Sequence, residues 1–209
     1  QLEQSRGEDL IADQAVACVR VLCAVVADAS LAQNADENEQ KTARRLWQRQ
    51  TSLNTMGASS VALSMVASEQ PQLYLAGLEL GIALLEGANI EVQSTMYKQL
   101  SQGKVIPIDG SSSSFFVRIR SALRMVEREI LERKNFLAAK KEQRASFEEM
   151  TRGLSDSTVD ALRKDLNEDF KTHAHPLKLF RFLQLLCEDH YVEMQDLLQD
   201  QPNAKVTIN

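Results

Sequence analysis

In the stretch LKLFRFLQLLCEDHYVEMQDLLQ, residues 177–199, four side chains able to do chemistry stand in a row: Cys187, Glu188, Asp189 and His190. A thiol, two carboxylates and an imidazole are the vocabulary of a metal site or of acid-base and nucleophilic work. Adjacent helical residues project about 100° apart, so four in sequence cannot converge on one ion and at most one or two share a face. Cys187 extends the apolar stripe of Phe180, Leu183 and Leu186, which makes it a small buried hydrophobe rather than a nucleophile with a paired base. Glu188 is left as a carboxylate at the end of a strongly apolar helix. An unpartnered charge is costly there, so it needs a partner, an ion or water.

The other candidates are poorer. His173 and His175 could reach one zinc ion from an extended strand, but no Cys, Asp or third His stands at a supporting spacing, and the pair reads as a loop before Pro176. The run SDSTVD, residues 155–160, lacks the glycine and terminal glutamate of a calcium loop. Phosphate loops, nucleophile elbows and HExxH helices are absent from the sequence. The expectation is that the chain is not an enzyme.

The elements that must position Glu188 are helices. Aromatic residues make up 5% of the 209 residues and hydrophobic ones 44%, with Leu, Ala, Glu, Gln, Arg and Lys recurring throughout, which favours an all-α fold with an ordinary core. Three cysteines, Cys18, Cys23 and Cys187, argue against a disulfide framework and for a reducing compartment. The best apolar run, residues 15–27, is interrupted by Arg20 and too short to span a bilayer, so no membrane insertion by this segment is expected. The chain has no initiator Met and ends in KVTIN, which reads like the start of another element; a segment of a longer protein is expected.

Charge is uneven. Residues 1–40 carry a net −6, 41–114 a net +1, 115–152 a net +4 and 153–209 a net −4. The basic stretch has only phenylalanine among its aromatics, and glutamates interleave with its arginines, so it reads as a solvated helix face rather than a nucleic-acid surface.

Periodicity predicts a helix over 8–29, with Leu10, Ile11, Val16, Val19, Leu22, Cys23 and Val26 on its stripe, and a polar linker over 31–40. A second helix carries Leu46, Trp47 and Leu53 and closes at Gly57 in a left-handed cap. A short helix over 58–68 follows, with Val61, Leu63, Met65 and Val66 buried; Pro71 opens the next, whose face is Leu75, Leu78, Ile82 and Leu85. Gly77 and Gly81, four apart, permit close approach of another helix, and Asn89 is the N-cap of a helix over 90–100. Gly103, Pro107, Gly110 and four serines predict a flexible loop over 101–114. From Phe115 a charged helix is expected to about Ala145, with Phe116, Ile119, Leu123, Val126, Ile130 and Leu137 as its stripe, and Ser155 is expected to cap a helix to Phe170. No exact repeat is visible. Short helices joined by tight turns nonetheless suit an armadillo or HEAT-like α-solenoid of helical hairpins with polar insertions.

LFRFLQLLCEDHYVEMQDLLQDQ resembles the motif that opens the RIH-associated domain of intracellular calcium-release channels, the ryanodine and inositol trisphosphate receptors. MGASSVALSMVAS and LGIALLEGANIEVQSTMYKQL are similar to the helical repeat that precedes it, in the same order, and the likeness extends over residues 44–209. LFRFLQLLC and RRLWQRQTSLNTMGA lean to the ryanodine branch and IALLEGAN to the inositol trisphosphate branch; Asp189 stands where the motif usually has asparagine.

The resemblance implies a cytoplasmic regulatory segment of a homotetrameric channel of the endoplasmic or sarcoplasmic reticulum. Its partners would be other parts of the same chain and neighbouring subunits. It further implies that Glu188 is one ligand of an activating calcium site, completed by a second glutamate and a backbone carbonyl from parts beyond this chain. Calcium takes about six to eight oxygens and one carboxylate supplies at most two, so the segment holds half a site and should bind calcium weakly or not at all by itself. The division then expected is 1–40 as an N-terminal helix and acidic linker, 41–101 as a helical repeat, 102–114 as a flexible loop, 115–176 as a charged helical insertion and 177–209 as the start of the RIH-associated domain. The competing reading is an independent armadillo-type scaffold that binds partner peptides, with Glu188 an ordinary surface carboxylate.

Overall fold

The computed structural model of the chain describes residues 2–31, 39–152 and 175–200. The elements are α1 (Leu2–Leu31), α2 (Glu39–Thr55), α3 (Ala58–Val66), α4 (Pro71–Leu85), α5 (Ile90–Ser101), α6 (Phe115–Met150), α7 (Pro176–Leu186), a three-residue turn (Glu188–His190) and α8 (Val192–Gln199). The described residues are helical without a strand, in line with the all-α expectation. The cap expected at Ser155 and the linker residues 32–38 lie outside the described residues.

The chain forms two compact units. One is Gln1–Arg120 with Pro176–Asn209, the other Ser121–His175. In the first, α4 is the central helix, packed against α1, α3 and α7 and touching α2 and α5. That is why its burial runs around most of its circumference, through Leu73, Tyr74, Ala76, Gly77, Leu78, Leu80, Leu84 and Leu85, rather than along the single face that Leu75, Leu78, Ile82 and Leu85 would make.

The two glycines of α4 serve two different neighbours. A Cβ on Gly77 would stand 2.6 Å from the backbone nitrogen of Val66, so α3 lies directly on it, while a Cβ on Gly81 would run into the ring of Phe182 on α7. Both sites need the close approach that only a missing side chain allows.

Helix ends follow their local signals. Gly57 has φ +94° and hands α2 to α3; Pro71 occupies the first turn of α4; the Asn89 side chain accepts from the amides of Glu91 and Val92. Direction follows from the pairs. Along α2 and α5, Trp47 lies with Asn89 and Asn54 with Thr95, and along α4 and α7, Glu79 pairs with Lys178 and Glu86 with Arg181, so within each pair the helices run the same way.

The loop 102–114 departs from the flexible reading. Its backbone is irregular, as expected, but it is moored: the Ile108 amide donates to Ser64 O, and Asp109 accepts from Ser68 Oγ at 2.6 Å and from the Glu69 amide at 2.8 Å. Partial burial alone would raise the Asp109 carboxyl, but hydrogen bonds from Ser68 and from the Ser111 and Glu69 amides outweigh it and hold the pKa down to about 2. A depressed carboxylate contributes stability above its unfolded value, lost as pH falls through the folded one. We therefore expect the loop anchor to weaken between about pH 4 and pH 2. Asp109→Asn should lower stability at pH 7 by about 1 kcal/mol, a figure reduced for solvent screening, and the difference from the parent should vanish near pH 2 in urea titrations.

Helix α6 extends past Ala145 to Met150. Its buried positions are Phe115, Ile119, Ala122 and Val126, whereas Leu123, Ile130 and Leu137 are exposed, so the expected stripe is shifted by one residue at its start. Arg118 helps set that register. Its guanidinium lies 4.2 Å from the centre of the Tyr74 ring, and its Nε donates to Ser68 O at 2.9 Å, closing the end of α3.

Candidate functional site: the Glu188 turn

The turn that carries Glu188 is set by the packing of α7. The fully buried positions of α7 are Leu179, Phe182, Leu185 and Leu186, while Phe180 is half exposed. Of the expected stripe of Phe180, Leu183 and Leu186, Leu186 is buried as expected, while Phe180 and Leu183 give way to Leu179 and Phe182, because Phe182 is the side chain that enters the notch at Gly81. Cys187 falls off that stripe and is half-buried, with its thiol pushed up by burial.

Nor do Cys187 to His190 continue the helix. Asp189 and His190 have φ of 55° and 57°, left-handed backbone that Asp and His tolerate better than most side chains. The break turns Asp189 and His190 outward, where both are exposed, and leaves Glu188 half-buried between the end of α7 and the start of α8. Among the described residues no three of His, Cys, Asp and Glu are grouped to hold a metal ion. His175 lies just ahead of Pro176, at φ 44°, as the loop residue expected; His173 lies outside the described residues.

One oxygen of Glu188 carries the chemical interest. Its Oε2 is buried and accepts no hydrogen bond among the described residues. A carboxylate oxygen removed from water needs a compensating positive group, and a hard cation such as calcium is one that takes oxygen donors of this kind. The site fits such an ion in donor chemistry and falls short in donor number.

Two residues near this turn carry no catalytic motif and escape a sequence reading. Gln93, on α5, is fully buried, and its Nε2 donates to Leu185 O at 2.9 Å and to Glu188 O at 3.1 Å. Tyr191 packs edge-on against Tyr97, with ring centres 5.9 Å apart. The available signal for Gln93 is only its place on the face shared by Val92, Met96 and Leu100, the buried residues of α5.

The turn also has a twin. After α4 the chain runs Glu86, Gly87, Ala88, Asn89 and enters α5; after α7, which ends one residue sooner, it runs Cys187 and then Glu188, Asp189, His190, Tyr191 and enters α8. Gly87 and Ala88 have φ of 77° and 56°, matching the left-handed pair at Asp189 and His190, and the residues that open the next helix, Asn89 and Tyr191, have φ of −67° and −68°. The helices that follow begin IEVQ and VEMQ.

No helix among the described residues is long and apolar enough to cross a membrane. No solved structure matches the chain. Residues 171–209, which include α7, the Glu188 turn and α8, match the family model described as RyR and IP3R Homology associated, and this supports, at a coarse level, a relation to the ryanodine and inositol trisphosphate receptor channels.

Proposed function

We propose that the chain is a regulatory α-solenoid segment of a tetrameric calcium-release channel of the endoplasmic reticulum, lying on the cytoplasmic side, with Glu188 as one carboxylate of an activating calcium site. The observation that carries the reading is the family match over the segment that holds the Glu188 turn. The buried, unpartnered Oε2 supports the choice of residue, and the twin turns and co-directed helices support a stack of hairpins as its frame.

Calcium bridging Glu188 to an element outside this chain favours whichever arrangement brings the two together. Binding and conformation are then linked by the difference in affinity between the arrangements. This chain's own part is to hold the carboxylate at a fixed place at the end of α7 and to keep one of its oxygens away from water. The other oxygens come from a second glutamate and a backbone carbonyl in parts of the channel beyond this segment, and the segment's partners are those parts and neighbouring subunits; neither nucleic acid nor direct insertion in the bilayer has a part.

The test is Glu188→Gln in the full-length channel, which keeps shape and removes the charge. The calcium concentration for half activation should rise at least about tenfold, the equivalent of ~1.4 kcal/mol of lost calcium affinity. Normal calcium activation in that variant would reject the assignment. Calorimetry on the 209-residue chain should show weak calcium binding or none, and tight binding would overturn the half-site.

A further inference from the structure

We infer that Gln93 is a positioning residue for Glu188, a side-chain clip that fixes the end of α7 and the turn bearing the carboxylate to the preceding hairpin. The last carbonyls of a helix have no partner within it, and Gln93 satisfies with one amide group Leu185 O at the end of α7 and Glu188 O in the turn that follows, three residues apart. The second of these carbonyls belongs to Glu188 itself.

The arrangement is used twice. Gln50 on α2, 1% exposed, donates through Nε2 to Ala83 O at 2.9 Å and to Glu86 O at 2.8 Å, again three residues apart and again ending on the glutamate before a left-handed pair. Thus α2 holds the end of α4 and α5 holds the end of α7. A chance contact would not reproduce the donor, the carbonyl spacing, the glutamate and the backbone that follows it. Gln195, at the same place in α8, is exposed and donates to Cys187 O of its own turn, so the residue type alone does not make the clip; a helix end must lie against it.

The left-handed residues explain why a clip is needed. Each left-handed non-glycine residue costs roughly 1–2 kcal/mol of backbone energy, and Asp189 and His190 are consecutive. Without the amide the turn would relax toward fraying, and Glu188 would sample many positions instead of one. The consequence for calcium rests on the function proposed above; the clip itself does not.

Amide hydrogen exchange on the 209-residue chain tests it. Gln93→Leu should speed exchange at residues 187–194 about tenfold, the equivalent of one lost buried hydrogen bond, while residues 59–85 keep the parent rate. Gln50→Leu supplies the reciprocal control, with faster exchange at 84–90 and none of that change at 187–194. A uniform rise in both variants, or no rise at 187–194, would overturn the clip. If Gln93→Leu does not fold, the unaltered chain still decides: the Gln93 side-chain amide protons should exchange at least about tenfold more slowly than those of exposed Gln195, and equal rates would reject it.

In the full-length channel, Gln93→Leu should move half activation by calcium several-fold and Gln50→Leu much less. An unchanged Gln93→Leu response alongside a shifted Glu188→Gln response would reject the positioning role and keep the calcium ligand. An unchanged Glu188→Gln response would reject the ligand and leave the exchange result to judge the clip.

Discussion

Phe182→Ala should be among the most damaging single substitutions in the chain, lowering stability by about 3–5 kcal/mol. Phe182 is fully buried, its ring fills the space left by Gly81, and it lies 6.5 Å, centre to centre, from the ring of Phe115. Three helices, α4, α6 and α7, meet at that ring, so its removal leaves a cavity that none of them can close alone. For a chain of this size the midpoint of thermal unfolding should fall by roughly 10 °C. Gly81→Ala places a methyl group against the same ring and should cost about 1–3 kcal/mol in the parent. In the Phe182→Ala background the methyl enters the cavity instead, and the double variant should be more stable than the sum of the two losses implies. Strict additivity in chemical denaturation would show that the ring and the glycine are not partners.

Asn89→Ala should follow, with a loss of about 2–4 kcal/mol, because one buried amide side chain does two jobs. Its Oδ1 accepts from the amides of Glu91 and Val92, capping α5, while its Nδ2 donates to Trp47 O, Gln50 Oε1 and Thr51 Oγ1 on α2. Alanine removes the cap and leaves the buried Gln50 acceptor without its donor. Asn89→Ser restores an oxygen for the cap and should return about 1 kcal/mol of the loss, the worth of the cap alone. Equal stability of the two variants would show that the cap contributes nothing, and a loss below about 1 kcal/mol for alanine would show that the α2 bonds contribute nothing.

The sequence is most legible where backbone chemistry is local. Gly57, Pro71 and Asn89 announce the ends and starts of helices because each does something the residues around it cannot, and the structure places them as expected. Which face of a helix is buried was less legible. On α7 the stripe through Phe180 and Leu183 and the stripe through Leu179 and Phe182 are almost equally apolar, and only the notch at Gly81, on another helix, separates them. On α6 the buried face includes Ala122, a side chain too small to register in a search for large apolar residues.

The site was legible in part. Glu188 emerges from its composition and neighbourhood, but the reason it is held still does not. The clip depends on Gln93 and on two carbonyls more than ninety positions away, and a backbone hydrogen bond leaves no trace in residue type at its acceptor. The twin turns are hidden for a similar reason: Gly-Ala and Asp-His share a backbone conformation without sharing a side chain.

The seat of α7 also bears on how the chain assembles. The bond between Arg181 and Glu86 joins residues 95 apart in sequence, whereas α3, α4 and α5 follow one another through short turns. Closing a loop of that length carries an entropy cost near 4 kcal/mol beyond a constant, against about 1 kcal/mol for a four-residue connection. Helices α3 to α5 can therefore assemble early, while α7 docks late. The seat of the Glu188 turn is then completed only after the hairpins it rests on have formed.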